Sequence, residues 1–449
     1  MGDIVKLQND TVAETEPDGG SVILPRRRQP CTAMRVDTSS SSGPAIQPGP
    51  PPNGGPMAWL HVLLAHLVFF NTWGFANSFG VFQQYYTATL GYQPSDTSWI
   101  GGVQVFLLFA VGVFAGRAAD AGYFRATFGV GVALQLLGIF TTSACTQYWQ
   151  IFLAQGLALG LGNGFTFTPA LSVLSTYFSS RRALAVGLSA TGSATGGLIY
   201  PIMVDKLLQS PYLGFQWTLR IVGFVMFAAY IPCLLFFKPR IPYRKSGPLI
   251  EWRAFKEIQY TLIAISMFFG FWGMYFAFFY LGVFARDDLR ASYTTSINLL
   301  MTTNGAGVLG RIIPSLIAVR LGVLNTVIPF IFCASLLVYS WQAIYSTPGL
   351  YIFAVFYGIV AGALQSLLPT LAASLTDDLT RSGTRLGMIM TIVSFATLTG
   401  PPIAGALIQE QGGQYQGAEI FAATTILAGG LFAVMARVAK AGWGLKTKV

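Results

Sequence analysis

Residues 238–256 read KPRIPYRKSGPLIEWRAFK, the longest internal polar run of the membrane part, and their position decides how the rest is divided. Lys238, Arg240, Arg244, Lys245, Arg253 and Lys256 keep this stretch in water. A helix crosses the hydrocarbon core with about 20 predominantly apolar residues, and the chain supplies such runs on both sides. Before the loop they lie near 58–84, 97–117, 124–143, 149–174, 183–205 and 216–237. After it they lie near 257–284, 293–316, 325–344, 349–373, 384–408 and 418–437.

Composition agrees with this division. Hydrophobic residues make up 53% of the 449 and charged residues 10%, with a mean hydropathy of +0.58, a mixture that a water-soluble globule does not tolerate. The expectation is an all-α membrane protein of 12 transmembrane helices in two six-helix, pseudo-symmetric halves. Its segments are a disordered polar tail over 1–56, a first bundle over 57–237, the loop 238–256, a second bundle over 257–437 and a short tail over 438–449. The first tail holds Arg26-Arg27-Arg28, a serine run and Pro48-Gly49-Pro50-Pro51-Pro52, with no cleavable signal.

Charge placement selects an orientation. Arg117, Arg125, Arg181, Arg182, the 238–256 cluster, Arg320, Arg381 and Arg385 fall in loops on the side of the termini, joined by Arg437, Lys440, Lys446 and Lys448. The opposite loops hold only Lys206, Arg286 and Arg290, with Arg220 just inside a helix end. The positive-inside rule therefore puts both termini in the cytosol, with the plasma membrane as the expected site.

A shift of 200 residues aligns Gly122 with Gly322, Gly162 with Gly362, Pro169 with Pro369, Arg181 with Arg381, Gly187 with Gly387 and Pro201 with Pro401. A shared register of prolines, glycines and a loop arginine is the mark of two parallel repeats.

Other classes are disfavoured. Cys31, Cys145, Cys233 and Cys333 form no CxxC, and His61 and His66 have no metal-ligand spacing around them, so no metal is expected. The net charge of +10 is dispersed among short loops rather than gathered into a nucleic-acid patch. GxxxxGK[ST] is absent, so ATP is not a partner, and no nucleophile, base and orienting acid occur together as in an enzyme. No cofactor is expected.

The loop Gly116-Arg117-Ala118-Ala119-Asp120-Ala121-Gly122-Tyr123-Phe124-Arg125 resembles the cytosolic loop of major facilitator transporters. The likeness narrows to the monocarboxylate-porter branch, especially its fungal members. It rests on Pro51-Pro52-Asn53-Gly54-Gly55-Pro56-Met57-Ala58-Trp59, Asn71-Thr72-Trp73-Gly74, Ser98-Trp99-Ile100-Gly101, Ser179-Ser180-Arg181-Arg182-Ala183, Gly310-Arg311-Ile312-Ile313-Pro314 and Thr399-Gly400-Pro401-Pro402. The resemblance implies a secondary carrier of a small organic molecule, often a carboxylate, working by alternating access. It also implies that Asp120 and Arg125 latch helices on the cytosolic side, with Arg181 and Arg182 as further gate charges.

Arg311 fits the arginine that pairs with substrate carboxylate in animal monocarboxylate porters, while Gly307 and Asn77 stand where those have a proton-handling aspartate and lysine. Two readings stay open: a guanidinium whose planar fork awaits an anion, or a structural arginine satisfied by carbonyls near its helix end. Asn77, Asn304 and Gln365 are intramembrane amides that could line a cavity, and Tyr275 and Phe279 are the aromatic choices for its wall. His66 is a candidate proton relay or a satisfied interior group.

The function expected is export of a secondary metabolite bearing a carboxylate. The alternative is proton-linked uptake of a monocarboxylate or vitamin-like anion, with a coupling proton as partner. A transport-dead sensor is a remote third.

Overall fold

The computed structural model describes residues 49–241, 248–374, 381–442 and Thr447. The sequence-expected tail up to residue 48, part of the central loop and most of the last residues lie outside the described set.

Nine helical stretches among the described residues are long and apolar enough to cross a membrane. One of them, Asp96–Thr142, runs 47 residues and turns back at Gly122, whose φ of 95° suits a residue without Cβ, so it forms two rods. Two more long helices, Arg182–Leu208 and Tyr293–Leu321, are less apolar because they carry small and polar residues toward neighbouring helices. The result is a twelve-helix bundle. The rods are α1 (Pro56–Thr87), α2 (Pro94–Ala110 continued by Gly112–Ala118), α3 (Phe124–Thr142), α4 (Tyr148–Tyr177), α5 (Arg182–Leu208) and α6 (Gly214–Phe236). After the loop come α7 (Ile258–Asp287), α8 (Tyr293–Leu321), α9 (Val323–Ser340), α10 (Thr347–Ser374), α11 (Ser382–Glu410) and α12 (Gln416–Ala441).

The halves repeat each other in backbone detail. Gly322 ends α8 with φ 96°, matching Gly122 between α2 and α3. Arg181 and Arg381 precede α5 and α11 with φ of −110° and −112°. Pro169 and Pro369 lie inside α4 and α10, Pro201 and Pro401 inside α5 and α11. Contact between halves obeys the same symmetry: α2 packs along α11, and α5 along α8. The α2–α11 seam is backbone on backbone, since a Cβ on Gly116 would stand 2.0 Å from the Gly383 carbonyl oxygen. Small residues permit such approach where lipid offers no hydrophobic drive for association.

Candidate substrate site and gate

At the centre, both halves contribute to one cavity of about 20 Å³, room for little more than a water. Its wall is aromatic: Phe69 and Trp73 of α1, Phe109 of α2, Phe167 of α4, and Phe271 and Tyr275 of α7, with Ser193, Gln365 and Pro369 among the rest. Trp73 and Tyr275 stack across the halves with centroids 5.9 Å apart and planes 2° from parallel. Phe109 meets Phe271 edge to face at 5.9 Å. These rings close the middle of the molecule.

Arg311 is 2% exposed on α8 and lies one layer behind this wall. Its guanidinium donates to the Gln365 side-chain oxygen, and Gln365 in turn lines the cavity. A Cβ on Gly307 would sit 2.5 Å from Arg311 Nη1, and one on Gly362 would sit 3.2 Å from it, so the two glycines make room for the fork. Among the described residues no acid pairs with Arg311, no backbone carbonyl accepts from its guanidinium, and Nε has no hydrogen-bond partner. Tyr275 is within electrostatic reach.

Asn77 donates to Asn304 Oδ1 across the halves at 3.3 Å and to the Ser193 carbonyl at 3.4 Å, a cross-link outside the cavity wall. Phe279 does not line the cavity and is 41% exposed. Each four-residue step overshoots a full helical turn by about 40°, so the face that holds Phe271 and Tyr275 has rotated away by Phe279. Phe271 takes the place expected of it. His66 meets Thr191 Oγ1 at 3.1 Å and the Leu188 carbonyl at 3.4 Å through Nδ1, and Thr195 Oγ1 at 3.3 Å through Nε2. Both ring nitrogens are engaged by α5.

On the side of the termini the halves are tied together. Asp120 accepts from the Gly383 amide at 3.1 Å, the Thr384 amide at 2.7 Å and the Thr384 hydroxyl at 2.8 Å. It caps the amino end of α11 from the other half, where unsatisfied N–H groups and the helix dipole favour an anion. Among the described residues Asp120 and Arg125 form no ion pair with each other. Arg125 is exposed at the start of α3, beside Leu234 and Leu235 of α6, while backbone donors from α11 fill the carboxylate. Arg182 donates to the Ala373 carbonyl of α10 at 3.1 Å, and Ser172 meets Ser382 at 3.0 Å. Arg181 is exposed and joins none of these ties.

A second set of charges has little signature in the sequence. Glu251 of the central loop is buried, and it accepts from Arg381 at 2.5 Å and from Arg385 at 3.4 Å. Glu257 grips Arg385 at 2.6 Å, and the Tyr260 hydroxyl donates to the Arg385 carbonyl at 2.7 Å. Burial pushes the Glu251 carboxyl up, but hydrogen bonds and charge from the two arginines outweigh it and hold the group below its usual range. The signal available was a lone glutamate, Glu251, in a loop of cations.

The Major Facilitator Superfamily family model matches residues 64–378. The chain belongs to that superfamily. This carrier is 47% identical over 408 residues to an MFS-type transporter of Gibberella zeae, covering 90% of this chain and 92% of that one. It is 34% identical to the aspyridones efflux protein of Emericella nidulans, covering 87% and 79%, and 32% identical to the agnestins efflux protein of Paecilomyces divaricatus, covering 91% and 93%. Among solved structures it shares its fold with the human organic anion transporter MFSD10, at a TM-score of 0.67 and 12% identity over 84% of this chain and 98% of that one. A bacterial homologue of the iron transporter ferroportin gives a TM-score of 0.66 at 14% identity, covering 85% and 99%.

Proposed function

We propose that this carrier exports an organic anion with an extended aromatic or conjugated body, a product of secondary metabolism, by alternating access between its two halves. The observation that carries the reading is Arg311: a buried guanidinium with no acid partner among the described residues, joined to the central cavity through Gln365. An intramembrane charge left without a counter-ion is costly, and a planar fork suits a carboxylate or enolate. Six aromatic rings suit the rest of such a molecule better than a two- or three-carbon acid. Two relatives named for efflux of aspyridones and agnestins support export. Within the superfamily, the resemblance of stretches such as Gly310-Arg311-Ile312-Ile313-Pro314 to monocarboxylate porters supports the same substrate chemistry.

In this reading the termini face the cytosol across the plasma membrane. The Asp120 cap and the Arg182 tie close the cytosolic side, and release of both opens the cavity inward to load. Asn77 and Asn304 hold the halves together farther out.

Fluorescein, a planar aromatic carboxylate, is the test probe. Proteoliposomes holding the purified carrier and fluorescein are expected to release it saturably, and Arg311→Gln to abolish that release while the protein still purifies as a monodisperse species. Equal rates from both proteins would reject the reading.

A further inference from the structure

A larger cavity than the central one lies on the face opposite the termini. It measures about 770 Å³, and Asp287, Asp288 and Arg290 at the end of α7, Trp341 beyond α9, and Tyr415 and Glu419 at the start of α12 all line it. Glu419 is the unexplained member. It is 3% exposed, and its carboxyl has neither a hydrogen bond nor an ion pair among the described residues. Arg290, the one cation of the lining, does not pair with it, and the Tyr415 hydroxyl is directed to Asp287 Oδ2 at 3.3 Å. Tyr345, from the connection between α9 and α10, is the remaining titratable group of the wall.

We propose that Glu419 is a proton-binding site that exchanges with the outer solution through this cavity. A nearly buried carboxylate without a donor, sharing its cavity with two more acids, is costly as an anion and far less so as the neutral acid. Glu419 lies in the first turn of α12, whose amino end favours the anion, and its burial without a donor acts against that. Asp288 feels the same surroundings: burial and Asp287 push its carboxyl up, with Arg290 opposing. The cavity is wide enough to hold water that delivers the proton. The central cavity wall contains no carboxyl, so Glu419 supplies an acceptor that the substrate site lacks. That the cavity opens to the outer solution rests on the proposed orientation; the binding of a proton does not.

The test uses dicyclohexylcarbodiimide, an apolar reagent that adds to protonated, shielded carboxyls. The reconstituted carrier is treated at pH 6 and at pH 9, and labelled peptides are read by mass spectrometry. Glu419 is expected to be modified at pH 6 and spared at pH 9. Replacing Asp288 by Asn removes a like charge, so modification of Glu419 at pH 7 is expected to fall about threefold. A folded wild-type protein with Glu419 untouched at pH 6, or equally modified at both values, overturns the proposal. Glu419→Gln serves as the peptide control, and if it fails to fold the wild-type and Asp288→Asn comparisons still decide. Labelling of Glu419 in a carrier that does not move fluorescein would uphold this site and count only against the transport reading.

Discussion

Asp120 and Thr384 lie on opposite halves and meet twice through one oxygen, at 2.7 Å to the amide and 2.8 Å to the hydroxyl. A carboxylate that accepts only is matched here to three donors at a helix start, whereas an asparagine would turn an N–H toward one of them. Asp120→Asn is expected to weaken closure on the side of the termini by about 1–2 kcal/mol, a shift of roughly 5- to 30-fold in the closed population. A cysteine placed at Ser172, buried opposite Ser382, reports it through an impermeant maleimide added from the side of the termini. Labelling as slow as in the Asp120 background would sink the gate.

The glycine seam offers a steric version of the same test. Adding a methyl at Gly116 drives it to 2.0 Å from the Gly383 oxygen, while one at Gly305 meets nothing nearer than 4.0 Å, at Leu198. Gly116→Ala is expected to cost about 1–3 kcal/mol in the closed form and to raise maleimide labelling at Ser172→Cys. Gly305→Ala is expected to leave it unchanged. A similar response from both would show that the seam is not a determinant of closure.

Much of this fold is legible in the sequence, because lipid forces each span to declare itself as a long apolar run. The span expected at 216–237 is Gly214–Phe236, and that at 349–373 is Thr347–Ser374. The end of α8 runs on to Leu321, past the 316 expected, since Ala318, Val319 and Arg320 still suit a helix at the interface. The site is harder to read. Arg311, Gln365 and Tyr275 stand out as chemistry in an apolar setting. Trp73, Phe109 and Phe167 do not, because a ring facing a cavity and a ring facing lipid look alike in one dimension. The partner of Asp120 is hidden for another reason: its donors are mostly backbone amides of a helix far along the chain.

Glu251 gives a pH signature. Its carboxyl is held below the usual range in the folded protein, so the stability it contributes is complete above the unfolded value of about 4.3 and is lost as pH falls through the lower folded value. Between pH 6 and 8 the ion pairs with Arg381 and Arg385 are expected to leave the melting temperature flat. Glu251→Gln is expected to cost about 1–2 kcal/mol at pH 7, the exposure of Arg381 reducing the figure for a buried pair. The gap between variant and wild type should close toward pH 3. A gap that stays constant from pH 7 to pH 3 would mean the carboxyl charge contributes nothing.

The anion site makes the sharpest demand of all, because Arg311 and Gln365 are already in contact. Gln365→Glu puts a carboxylate against the guanidinium with little change of shape and gives it the internal partner it lacks. The variant is expected to be at least as stable as wild type, since a buried charge gains its counter-ion. It is also expected to lose about tenfold or more in release of fluorescein, because the substrate anion must now displace or face a fixed one. Arg311→Lys keeps the charge but not the fork, and is expected to fall between the two. Initial rates from proteoliposomes, set beside melting temperatures of the same preparations, separate binding from folding. If Gln365→Glu carried fluorescein at the wild-type rate, Arg311 would have to be read as a structural charge and the cargo could be neutral.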